Sequence, residues 1–183
     1  MRAIPVLLTA CLALTAACSA ASTGAGGRIN SARVRALNLD DIKGRKVRFA
    51  DLVGSRVVIF SFWATFCKPC AAEMPFLQEL HEKYEADGLS VIGISLDTAD
   101  TESLVGPFVA RNNYTFTVCV DRQSDAAAAL NSKSVLPYLV ILDREGKLAI
   151  QKDGFSPGDR PAIEKLVKKL LETPAPQQAP PGA

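Results

Sequence analysis

Three short, uninterrupted apolar runs constrain this chain more than any other feature: residues 57–62 (VVIFSF), 89–96 (LSVIGISL) and 137–143 (PYLVILD). Each has strand length and carries β-branched residues, as expected of strands buried on both faces. Such strands need cover on both sides, so the chain must build layers around a central sheet. The segments between the runs change period. From Lys68 to Tyr84, Cys70, Glu73, Leu77, Leu80 and Tyr84 recur three or four apart, which predicts a helix with one apolar face. Pro75 is expected to kink it, and Asp87-Gly88 to end it. Residues 101–112 predict a helix, 115–120 a strand, and 124–130, with its four alanines, a short helix. Arg144-Glu145-Gly146-Lys147 turns the third run back on residues 148–152, and residues 161–171 form a closing amphipathic helix that Pro161 can start. Near the front, residues 34–39 and 47–49 alternate around Lys43-Gly44 and predict a β-hairpin. The expectation is an α/β fold with a mixed central sheet.

The ends read differently. After Met1-Arg2, residues 3–17 are small or apolar and uncharged, the pattern of a secretory signal and too short for a transmembrane span. Small residues then lead into Cys18, which resembles a lipobox cysteine. Cys11 would leave too short an apolar stretch, so Cys18 is the expected lipid anchor, with simple cleavage near Ala20 as the alternative. The expected organisation is a signal at 1–17, a Gly/Ser/Ala-rich tether at 18–31, a domain at 32–172 and a Pro-rich, unpacked tail at 173–183. Either processing route exports the protein, where disulfide chemistry is permitted. With 21 Lys+Arg against 19 Asp+Glu and no basic cluster, nucleic acid is not an expected partner.

The chemistry points to Cys67-Lys68-Pro69-Cys70. This pair sits where a buried strand meets a helix, and unpaired N–H groups in a helix's first turn favour a thiolate. Cys67 is expected to be the attacking thiol and the deeper Cys70 the resolving one, with Lys68 adding positive charge and Pro69 stiffening the loop. A zinc half-site would need a second cysteine pair at the right spacing. Cys11, Cys18 and Cys119 supply none, and His81 is the single histidine, so no metal and no cofactor beyond the redox pair is expected. Cys119 reads as an inert buried thiol and His81 as a surface residue without a role.

Residues 62–75 (FWATFCKPCAAEMP) resemble the signature of the TlpA/ResA-like branch of the thioredoxin superfamily. The resemblance extends from about Leu37 to Leu171. It implies a thioredoxin-like three-layer α/β/α sandwich with an N-terminal hairpin and an extra central helix at residues 101–112. It also implies an exported, membrane-tethered thiol–disulfide oxidoreductase, monomeric, acting on protein dithiols and disulfides and re-reduced by a membrane thiol donor. A reductase role is expected, including keeping apocytochrome CxxCH cysteines reduced in cytochrome c maturation. The resemblance makes Pro137 a cis-proline facing the redox pair. Without an N–H, Pro137 would leave Leu136 free to pair with an extended substrate. Trp63, Phe66, Lys68, Pro69 and Leu136 are the expected substrate groove. Phe66 stands where the family usually has Trp, and Tyr138-Leu139 where it often has two threonines.

Glu73 lies three residues after Cys70 on the apolar face. Desolvation there raises its pKa and suits it to take the Cys70 proton, whereas a solvated first-turn glutamate would have no such role. Ser61 occupies the position of thioredoxin's buried Asp and cannot do that work. Three rivals remain. A peroxidase of the peroxiredoxin type would have Pro and Thr or Ser where Phe60 and Ala64 stand. A copper-binding lipoprotein would need a distal His. A non-catalytic binding lipoprotein would use the fold alone.

Overall fold

The structure is a computed structural model and describes residues 29–174. The signal, most of the tether including Cys18, and nearly all of the tail lie outside these residues. Five strands form the main sheet in the order β5-β4-β3-β6-β7: β3 (Val57–Trp63), β4 (Leu89–Ser95), β5 (Thr117–Val120), β6 (Tyr138–Leu142) and β7 (Leu148–Asp153). β3, β4 and β5 run parallel, while β6 and β7 pair antiparallel, so the sheet is mixed as expected. The three apolar runs are its three central strands, and nearly every residue in them is buried.

β3 shows how the layers arise. Val57, Ile59 and Trp63 face one side with α2 (Lys68–Tyr84), α3 (Val105–Arg111) and α5 (Arg160–Glu172). Val58, Phe60 and Phe62 face the other with α1 (Ser31–Arg35), α4 (Asp125–Leu130) and the β1–β2 hairpin (Asn38–Asp40 with Lys46–Arg48). Strand alternation thus feeds two separate cores, giving the three-layer sandwich. Among the described residues no helix is long and apolar enough to cross a membrane.

Several local expectations need correction. Residues 34 and 35 are helical rather than strand, and Ser31 belongs to α1 rather than to a tether. Asn30 caps α1 by accepting the Arg33 N–H, and the Ser31 hydroxyl donates to the Gly146 carbonyl at 2.5 Å. The helix expected at 101–112 is a 3-10 turn at Glu102–Leu104 followed by α3. α2 runs unbroken through Pro75. The carbonyl that Pro75 leaves without its N–H partner belongs to exposed Ala71, where water can replace it.

Candidate active site

β3 ends at Trp63, and the chain turns through Ala64, Thr65 and Phe66 into α2. The turn is pinned from beneath. Asp97, just past the end of β4, is 4% exposed and accepts hydrogen bonds from the Thr65 N–H at 2.9 Å and the Thr65 hydroxyl at 2.5 Å. The Ser95 hydroxyl also donates to it, at 2.7 Å. A buried carboxylate holding three donors is strongly fixed. The sequence reading passed over Asp97, because an Asp after a strand looks like any solvated loop acid. Its partner Thr65 lies 32 residues away in the chain.

Cys67 is the N-cap of α2, and its sulfur accepts the Cys70 N–H at 3.2 Å. Cys67 and Cys70 are joined in a disulfide with a Cα–Cα distance of 5.3 Å. Cys67 is partly exposed and Cys70 fully buried, the asymmetry expected of an attacking and a resolving thiol. Lys68 and Pro69 are exposed beside them, and no acidic residue occupies the first turn of α2 to oppose a thiolate.

Glu73 is 1% exposed, so it is not a solvated helix-end carboxylate. Ser61, an odd-numbered residue of β3 like Ile59 and Trp63, points to the same face of the sheet and meets it. The Ser61 hydroxyl donates to Glu73 Oε2 at 2.7 Å. Burial pushes the Glu73 pKa up, from 4.5 to about 7. The Ser61 hydrogen bond and the charge of Lys152 oppose that rise. Register explains the reach of Lys152. Ser61 pairs with Leu139, and Leu139 with Lys152, so one row crosses three strands beneath α2. Ser61 does not replace a buried acid; it anchors one. Lys152 was not singled out from sequence, since one lysine in an edge strand carries no signal.

The Leu136–Pro137 peptide bond is cis, as the resemblance implied. Pro137 is buried, Leu136 is half-buried, and the Pro137 carbonyl is held by the Gly154 N–H at 2.8 Å. Phe66 is 64% exposed. Trp63 departs from its expected place in a substrate groove. It is fully buried, with its ring 5.1 Å from that of Phe108 on α3. Gly93 makes room for it, because a Cβ there would lie 3.2 Å from the indole nitrogen. Trp63 therefore braces the inserted helix from behind. His81 is also not a surface residue: its side chain is 12% exposed and its ring lies edge-on to Phe116. Cys119 is fully buried, and burial, with Asp41 and Asp40 nearby, pushes its thiol up to about 12, against thiolate formation. No group of side chains among the described residues is arranged to hold a metal ion.

Residues 31–151 match the AhpC/TSA family. A thiol–disulfide oxidoreductase ResA of Bacillus cereus is 36% identical over 108 residues, which cover 59% of this chain but only 60% of that relative. ResA of Bacillus anthracis is 32% identical over 130 residues, 71% of this chain and 72% of the relative. Among solved structures, a Chlorobium tepidum protein assigned as the thiol:disulfide interchange protein DsbE superposes with a TM-score of 0.66 at 31% identity, over 74% of this chain and 92% of that one. A secreted Mycobacterium tuberculosis disulfide oxidoreductase shares the fold with a TM-score of 0.64 at 21% identity, covering 76% of this chain and 98% of that one. The match over residues 31–151, together with a ResA relative 32% identical over 71% of the chain, places the chain in the AhpC/TSA family, among its ResA-like thiol–disulfide oxidoreductases.

Proposed function

We propose that this chain reduces protein disulfides on the outer side of a bacterial membrane, anchored through a lipidated Cys18 and re-reduced by a membrane thiol donor. Apocytochromes awaiting haem attachment are the proposed clients. The observation that carries the redox reading is the Cys67–Cys70 disulfide at the start of α2 with Glu73 buried below it. The location and clients rest on the export signal in the sequence and on the resemblance to tethered family members.

The chemistry follows from the geometry. In the reduced protein the Cys67 thiolate, favoured by the helix N-terminus and Lys68, attacks one sulfur of a substrate disulfide. The substrate S–S bond breaks, a Cys67–substrate bond forms, and the departing sulfur takes a proton. Glu73 accepts the proton of Cys70, whose thiolate then attacks the Cys67 sulfur. That step breaks the mixed disulfide, releases the second substrate thiol and restores the Cys67–Cys70 bond. Two electrons have passed to the substrate, and the membrane donor must return them.

The test is insulin reduction by dithiothreitol, with and without catalytic amounts of the protein, together with the potential of the Cys67–Cys70 couple. The wild type should accelerate the reaction and Cys67→Ser should not. A potential near about −270 mV supports a reductant, whereas one near about −120 mV would mark an oxidant and overturn the proposed direction.

A further inference from the structure

Among the described residues, large apolar side chains are scarce on the surface. Among the described residues only Phe66, Leu104 and Leu148 are notably exposed, at 64%, 54% and 36%. The first two are distant in sequence yet line one depression of about 280 Å³. Thr65 and Phe66 of the active-site turn form one wall. Leu104, Pro107, Phe108 and Arg111, at and after the 3-10 turn of the insert, form the other.

Both walls are held in place. Asp97 pins Thr65, as described above. The far wall is tied to the end of β5 by the Arg122–Glu102 ion pair and backed by Trp63 against Phe108. The groove is therefore preformed and needs little ordering on binding. The Arg111 guanidinium, which also lines the depression, lies 6.0 Å from the centre of the Phe108 ring and makes no ion pair with any described residue. An unpaired cation lining an apolar channel selects a negative group. The channel also includes Phe66, the neighbour of Cys67, where any disulfide partner must arrive.

We infer that this groove is a docking site for an extended segment of the partner polypeptide, with a bulky apolar residue beside the partner's reacting cysteine and a carboxylate farther along to meet Arg111. The inference rests on the reading of Cys67 as the thiol that meets a protein substrate, and it adds which flanking residues that substrate carries. Seven helical steps from Leu104 to Arg111 span about 10 Å, which an extended peptide covers in about three residues. The preferred segment thus places its acid about three residues from its apolar side chain.

Binding can be measured apart from catalysis. Oxidised mature protein is titrated, with amide NMR shifts as readout, against a synthetic peptide with Ser at the cysteine position, Leu beside it and Asp about three residues on. The control peptide has Ser for Leu and Lys for Asp. The first peptide should bind about tenfold tighter, the scale set by burying one aliphatic side chain, with shifts centred on Leu104, Phe108 and Arg111. Leu104→Ser should remove about that advantage, and Arg111→Glu should reverse the charge preference. Both residues are exposed, so neither change touches the core. Equal binding of the two peptides overturns the inference, as do shifts centred on Pro137 instead. A dimer that Leu104→Ser converts to monomer also overturns it, by showing that a second copy covers the groove. If the peptide preference holds but the wild type reduces no disulfide, the docking site stands and the proposed activity falls.

Discussion

A carboxyl group held at 1% exposure three residues after Cys70 has one consequence for stability and another for rate. Burial outweighs the Ser61 hydrogen bond and the Lys152 charge and lifts the Glu73 pKa from 4.5 to about 7. Between those values the folded chain keeps a proton that the unfolded chain has released. The stabilisation is complete below pH 4.5 and is lost as pH rises through about 7. The interval corresponds to roughly 3 kcal/mol. Urea unfolding at pH 5 and pH 8 should therefore show a loss of about 2 kcal/mol in the wild type that is absent from Glu73→Gln. The same variant should resolve mixed disulfides slowly at neutral pH, with the defect shrinking toward the ordinary thiol value of about 8.5. Removing the opposing cation with Lys152→Met should move the midpoint of the resolution rate to higher pH. Wild-type resolution in Glu73→Gln, or an unmoved midpoint in Lys152→Met, would show that the carboxyl takes no part. From sequence, Glu73 was recognisable because it breaks an apolar stripe. The sequence marks Ser61 only as standing where thioredoxin has a buried Asp and does not mark Lys152 at all, because a strand register joins them to Glu73.

The element that delivers Cys67 is the turn between β3 and α2, and Asp97 is what fixes it. Asp97→Ala would remove the acceptor shared by the half-buried Thr65 N–H and hydroxyl and the fully buried Ser95 hydroxyl. Each unsatisfied donor costs about 1 kcal/mol or more, so a loss of at least about 2 kcal/mol is expected in urea unfolding. Alkylation of reduced Cys67 should also slow, because the turn that presents it to the helix N–H groups loosens. Thr65→Ser, which keeps the hydroxyl, should behave as wild type. Unchanged alkylation in Asp97→Ala would confine Asp97 to a structural role. The elements themselves were largely legible, since apolar runs and helical periods of this length are distinctive. Shorter pieces were not. Over residues 31–35 an alternating pattern and one helical turn cannot be told apart, and the Asn30 cap decides for the helix.

At the scale of the molecule, the sheet carries everything that acts at its upper edge. The parallel strands β3 and β4 end at the active-site turn and at Asp97, and β6 begins at the cis Leu136–Pro137 bond. The layer order was legible because residues 57–62 and 89–96 demand cover on both faces. The insert's role was not, since Trp63 meets Phe108 only after β3 and α3 are packed. For the anchor, the mature protein should show a mass increase consistent with acylation at Cys18 and should partition into detergent. A soluble mature chain beginning at Ala21 would rule the anchor out. The central claim is that Cys67 attacks and Cys70 resolves, and covalent trapping tests it most directly. Cys70→Ser should accumulate mixed disulfides with protein partners through Cys67, and Cys67→Ser should accumulate none. Trapping through Cys70 in Cys67→Ser, with none in Cys70→Ser, would contradict the account.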